Sequence, residues 1–76
     1  MSKWSSEQLL SEFYSESGER LAVLSQDKYH YICRLWNIKG GVKHEYDTVL
    51  FHDKSQAYCE DLCENFVNYI GPFNIR

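Results

Sequence analysis

Ser5-Ser6-Glu7-Gln8-Leu9-Leu10-Ser11-Glu12-Phe13-Tyr14-Ser15, residues 5–15, is the stretch that sets the fold class. Its spacing predicts a helix over about residues 6–15. Ser5-x-x-Gln8 fits a capping box: the Ser hydroxyl accepts from an orphan backbone N–H and the Gln side chain reaches back. Trp4 and Leu9 then stand where a hydrophobic staple would sit. Leu9, Leu10, Phe13 and Tyr14 recur at helical spacing, and Glu7 lies in the first turn, where the helix dipole favours a carboxylate. Gly18 reads as the stop.

Three strand-like runs follow, over residues 19–25, 29–38 and 42–51. The first contains Leu21, Ala22, Val23 and Leu24, and the second is dense in β-formers such as Tyr29, Tyr31, Ile32, Trp36 and Ile38. Lys39-Gly40-Gly41-Val42 between the second and third is a tight hairpin turn, because glycines supply the positive φ it needs. A last helix is expected over residues 54–70, capped by Asp53-x-x-Gln56 and stopped by Gly71-Pro72. Its stripe is Tyr58, Cys59, Leu62, Cys63, Phe66, Val67 and Ile70, with Glu60, Asp61, Glu64, Asn65 and Asn68 on the opposite side. The expected fold is therefore an α+β domain, two helices bracketing a three-stranded antiparallel meander, both helices on one sheet face. Residues 1–76 form one domain with a short tail at 71–76.

With 76 residues, only roughly 60% of the unfolded chain's surface can be buried, so each large apolar side chain counts. Aromatic residues, at 16%, supply much area per residue, and a net charge of −3 with 43% hydrophobic residues excludes a disordered chain. The start Met1-Ser2-Lys3-Trp4-Ser5 has no apolar core of a secretory leader, and no stretch is long enough to span a bilayer. Three cysteines, an odd number without framework spacing, point to free thiols in a reducing cytoplasm.

The Gly40-Gly41 turn gives a trial register. Ile38 lies opposite Lys43, Trp36 opposite Glu45, Arg34 opposite Asp47, Ile32 opposite Val49 and His30 opposite Phe51 on one face. Leu35 with Tyr46, Cys33 with Thr48 and Tyr31 with Leu50 share the other, which carries no charge in its central rows and is expected to be the core face. The solvent face then presents Trp36, Ile32, Val49 and Phe51 around Arg34 and His30. That is much apolar surface for an idle sheet, and Trp, Phe and Arg are enriched among binding hot spots. Folding of the N-terminal segment with Trp4, or of the tail with Phe73 and Ile75, across the patch is the competing expectation.

Catalytic and metal chemistry finds little support. Cys59 and Cys63 are four apart on the apolar helix stripe and Cys33 is on the core face, which reads as core thiols rather than a zinc site with a histidine. His30, His44 and His52 are scattered, and no Gly-rich phosphate loop precedes a helix. Glu60, Asp61 and Glu64 make a solvated acidic face, or one that meets a basic protein surface. No cofactor, metal or catalytic residue is expected.

The order helix, three strands, helix resembles the double-stranded-RNA-binding domain over most of the chain, in layout alone. That family reads RNA with its first helix, a loop between the first two strands and a basic cluster opening the last helix. Here the last helix opens Lys54-Ser55-Gln56-Ala57-Tyr58-Cys59-Glu60, where Lys54 and Ala57 fit but acidic Glu60 and Asp61 follow. Gln26-Asp27-Lys28-Tyr29-His30 lacks the family's Gly-Pro start. The acidic balance also argues against nucleic acid. The expectation is a non-enzymatic protein–protein interaction module that docks on another protein or on a second copy of itself; the alternative is a nucleic-acid-binding domain with the layout of the double-stranded-RNA-binding domain. Small acidic domains of this kind are often regulators or inhibitors, viral host-interaction proteins among them.

Overall fold

A computed structural model describes residues 7–69, in the order β1 (Gln8–Tyr14), β2 (Arg20–Gln26), β3 (Tyr31–Lys39), β4 (Val42–Phe51) and α1 (Gln56–Asn68). The strands form one antiparallel sheet in the order β1-β2-β3-β4, and α1 packs against β1, β2 and β3 on one face. The architecture is β-β-β-β-α, not two helices around a three-stranded meander. The layout shared with the double-stranded-RNA-binding domain disappears with the first helix. Trp4, Ser5, Ile70, Gly71-Pro72 and the tail lie outside the described residues.

Residues 8–14 form an edge strand for a physical reason. Leu9 pairs with Ser25, Ser11 with Leu24, Glu12 with Val23, Phe13 with Ala22 and Tyr14 with Leu21, with a bulge at Leu10. The bulge turns both Leu10 and Phe13 toward the helix, where they pack on the core. The Leu-Leu-x-x-Phe-Tyr spacing that mimics a helical stripe thus also satisfies a bulged strand. A helix this short is marginal alone, whereas the free edge of β2 offers the backbone a full ladder. Gly18 closes the intervening hairpin at φ 76°, its N–H donating to the Ser15 carbonyl at 3.0 Å. Ser15 Oγ accepts from the backbone N–H of Glu19 at 3.0 Å and Arg20 at 2.9 Å, fixing the turn.

The β3–β4 hairpin turns at Gly40-Gly41, whose φ values are 58° and 79°. Ile38↔Lys43 and Trp36↔Glu45 pair in the trial register. Beyond them a bulge at Tyr46 shifts everything: Leu35 faces Asp47, Arg34 faces Thr48, Cys33 faces Val49, Ile32 faces Leu50 and Tyr31 faces Phe51. The expected Arg34–Asp47, Ile32–Val49 and His30–Phe51 pairs are overturned. One extra residue moves every later side chain of β4 to the other face.

The core lies between α1 and the sheet. Ala22, Leu24, Cys33 and Leu35 meet Cys59, Cys63, Phe66 and Val67, and Val49, Phe51 and Tyr31 pack at its border. α1 is capped by Ser55, whose Oγ accepts from the Tyr58 N–H at 3.2 Å, rather than by Asp53. Its C-terminal end is held by Arg20, whose guanidinium donates to the Phe66 carbonyl at 2.9 Å and lies 4.8 Å from the centre of the Phe66 ring. A cation there complements the helix dipole.

Candidate functional site

Alternation along the strands divides the candidate residues between two faces. The face away from α1 is built in cross-strand rows. Tyr14, Leu21, Trp36 and Glu45 form one, Glu12, Val23, Arg34 and Thr48 the next, and Leu9, Ser25, Ile32 and Leu50 the third. Trp36, Arg34 and Ile32 therefore share a face. Val49 and Phe51, expected beside them, sit on the helix side and pack on the core. β2 and β1 supply what the trial patch lacked: Leu21, Val23 and Tyr14. The signal was the unbroken run Leu21-Ala22-Val23-Leu24, which marks a central strand with apolar side chains on both faces.

The centre of this face is closed: Leu21, Ser25 and Ile32 are only 6%, 4% and 5% exposed. Trp36, Arg34, Val23 and Ile38 are half-buried, and Leu9, Tyr14 and Leu50 are exposed. Arg34 is paired with Glu7, Nη2 to Oε1 at 3.0 Å, across the sheet rather than with Asp47. Lys43 Nζ lies 5.2 Å from the centre of the Trp36 ring, a cation–π contact. Glu45 accepts from Thr48 Oγ1 at 2.9 Å. The accessible part of the face is thus its margin, where one indole is framed by charges of both signs.

His30 belongs to neither face. It sits in the β2–β3 turn, where Asp27 accepts from the backbone N–H groups of Tyr29 at 2.8 Å and His30 at 2.7 Å. The His30 imidazole Nδ1 lies 3.0 Å from Asp27 Oδ1. These contacts, the Tyr29 N–H foremost, hold the Asp27 carboxyl below its ordinary value. The His52 ring meets His30 edge-on at 4.4 Å between centroids. The group is an Asx-type turn that orders the loop.

Cys33, Cys59 and Cys63 come together in the core, all fully buried and free. The neighbouring Cys63 thiol and burial push the Cys33 thiol far up, and burial pushes Cys59 up to about 11. Such thiols stay protonated and nucleophilically inert. Among the described residues, no group of three His, Cys, Asp or Glu side chains is placed to hold a metal ion. On the outer face of α1, Asp61 and Glu64 are exposed and Glu60 accepts from Gln56 Nε2 at 3.0 Å. No helix among the described residues is long and apolar enough to cross a membrane.

Comparison of the chain with protein-family models, with curated proteins and with solved structures finds no match.

Proposed function

We propose that the domain is a non-enzymatic protein–protein interaction module that engages its partner through the margin of the sheet face away from α1, with Trp36 and Arg34 at the centre of contact. One observation carries this reading. Among the described residues, three exposed large hydrophobic side chains edge this face in the rows of Ile32 and Trp36: Leu9 and Tyr14 on β1, and Leu50 on β4. Apolar side chains gathered along sheet margins, beside a half-exposed Trp and an Arg, have the composition of an interface. The acidic outer face of α1 keeps the opposite side of the domain solvated.

Trp36→Glu tests the reading. The substitution puts a carboxylate on the margin without entering the core, so circular dichroism and the melting curve should stay close to wild type. Capture of partner from a lysate should fall at least tenfold relative to wild type. A folded Trp36→Glu protein that captures the same partner equally well would sink the proposal.

A further inference from the structure

β4 is the edge strand of the sheet among the described residues, and its first half is self-complementary. The turn at Gly40-Gly41 has two residues at positive φ, and Lys39 pairs with Val42 across it. In such a hairpin the flanking pair is hydrogen-bonded, and alternate residues then face inward and outward. Val42 and His44 direct their backbone N–H and C=O groups to β3, while Lys43 and Glu45 direct theirs to the edge that no described strand covers. Any strand added here must pair outward-facing residues with outward-facing residues. For a second copy of β4 running antiparallel, only three alignments before the bulge meet that condition. Lys43 against Lys43 and Glu45 against Glu45 each set like charges opposite one another. The third sets Lys43 against Glu45 twice and carries no like-charge pair.

In that third alignment His44 lies on the two-fold axis and Val42 falls opposite Tyr46. Lys43 and Glu45 point to the face away from α1, in the rows of Ile38 and Trp36. Tyr46 points to the helix side, its ring 5.3 Å from that of Phe66. Val42 and Tyr46 are 56% and 39% exposed, so their apolar surface is there to be covered. We infer that β4 pairs antiparallel with β4 of a second copy of this chain, about an axis through His44, to make a continuous eight-stranded sheet. Lys43 and Glu45 border Trp36, so the inference shares this edge with the proposed partner-binding margin; loss of partner capture in Trp36→Glu reads the one and charge reversal at 43 and 45 the other. The bulge at Tyr46 ends the regular ladder and limits the contact to residues 42–46. That is far below the ~1,200 Å² typical of stable interfaces, so the dimer is a transient one, seen at hundreds of micromolar.

The test is sedimentation equilibrium on the full chain from about 10 μM to 1 mM, with the fold followed by circular dichroism. Lys43→Glu and Glu45→Lys each replace two opposite-charge pairs by two like-charge pairs and should weaken association roughly tenfold or more. The double variant Lys43→Glu/Glu45→Lys restores both pairs and should recover the dimer. A cross-link reads the register itself. Residues on the axis form a non-hydrogen-bonded pair about 4.5 Å apart at Cα, inside the disulfide range. With the native thiols buried, His44→Cys should give a disulfide dimer with oxidised glutathione, and Lys43→Cys, at a position that is also exposed, should give far less. A chain monomeric at 1 mM would overturn the inference, as would a dimer indifferent to charge reversal. Equal cross-linking of the two cysteine variants would overturn the register.

Discussion

The two faces of the sheet come from the same four strands yet are held by different physics. Toward α1, Leu24, Cys33, Leu35 and Phe66 are fully buried, and the polar contact there is at the rim, where Arg20 reaches the Phe66 carbonyl. Away from α1, Leu21 and Ile32 are buried at the centre, and the margin is tied by an ion pair between Arg34 and Glu7 and a cation over Trp36. Stability should therefore be concentrated on the helix side, where fully buried side chains are most numerous, leaving the margin of the other face free to vary with little cost. A small domain leaves no slack for the first: typical stabilities per residue give about 4–11 kcal/mol for a chain of this length.

Phe66→Ala should be the most damaging single change. It removes a fully buried ring that Tyr46 and Arg20 both contact, and such truncations cost about 3–5 kcal/mol. Set against about 4–11 kcal/mol, that is from about a quarter to all of the stability available. A denaturant midpoint within a tenth of wild type would mean that the helix side is not where stability lies. Cys33→Ser comes next. The Cys33 Sγ sits 4.0 Å from the Cys59 carbonyl, too far for a hydroxyl to reach, so Ser buries a polar group unpaired at about 1–3 kcal/mol. A neutral Cys33→Ser would show that water or slack reaches the thiols.

The thiols also give the helix side a pH signature. In the unfolded chain they ionise near pH ~8.5, whereas in the fold Cys59 is pushed up to about 11 and Cys33 higher. A raised pKa stabilises the fold fully below the unfolded value, and that share is lost as pH rises through the folded one. The slope between about pH 9 and 11 is about 1.4 kcal/mol per pH unit for each such thiol. Denaturant titrations at pH 8, 9.5 and 10.5 should show a fall that Cys59→Ala reduces. At pH 8, iodoacetamide should label none of the three cysteines in the native protein and all three after unfolding. Rapid native labelling would mean that the core opens.

How much of this contrast was legible in the sequence differs from one element to the next. β4 begins and ends where its β-formers and the Gly40-Gly41 turn put it, and α1 falls within the expected range with its Cys59, Cys63, Phe66, Val67 stripe buried. Those signals are local. The strand at 8–14 was hidden because Leu9, Leu10, Phe13 and Tyr14 fit a helix and a bulged strand equally, and the choice depends on β2's free edge. The faces of β4 beyond Glu45 were hidden because the bulge at Tyr46 carries no glycine to announce it. Of the candidate interface, Trp36, Arg34 and Ile32 alternate along β3 and share a face whatever β4 does. Val49 and Phe51 lie after the bulge and went to the wrong side.

The smallest expected effect is the one that most sharpens the contrast. Arg34 and Glu7 form a half-buried ion pair, with side-chain exposures of 27% and 19%. Pairs of this kind contribute about 0.2–1 kcal/mol, because part of the Coulomb gain is spent on desolvation and side-chain order. Arg34→Met keeps the aliphatic stem between Val23 and Thr48 and discards the charge. The midpoint should shift by less than ~1 kcal/mol, and a Glu7→Gln/Arg34→Met double variant should separate lost pairing from a stranded carboxylate. A loss approaching that of Phe66→Ala would mean that the face away from α1 is a second core, with Leu21 and Ile32 at its centre, and that its margin is structural before it is a binding surface.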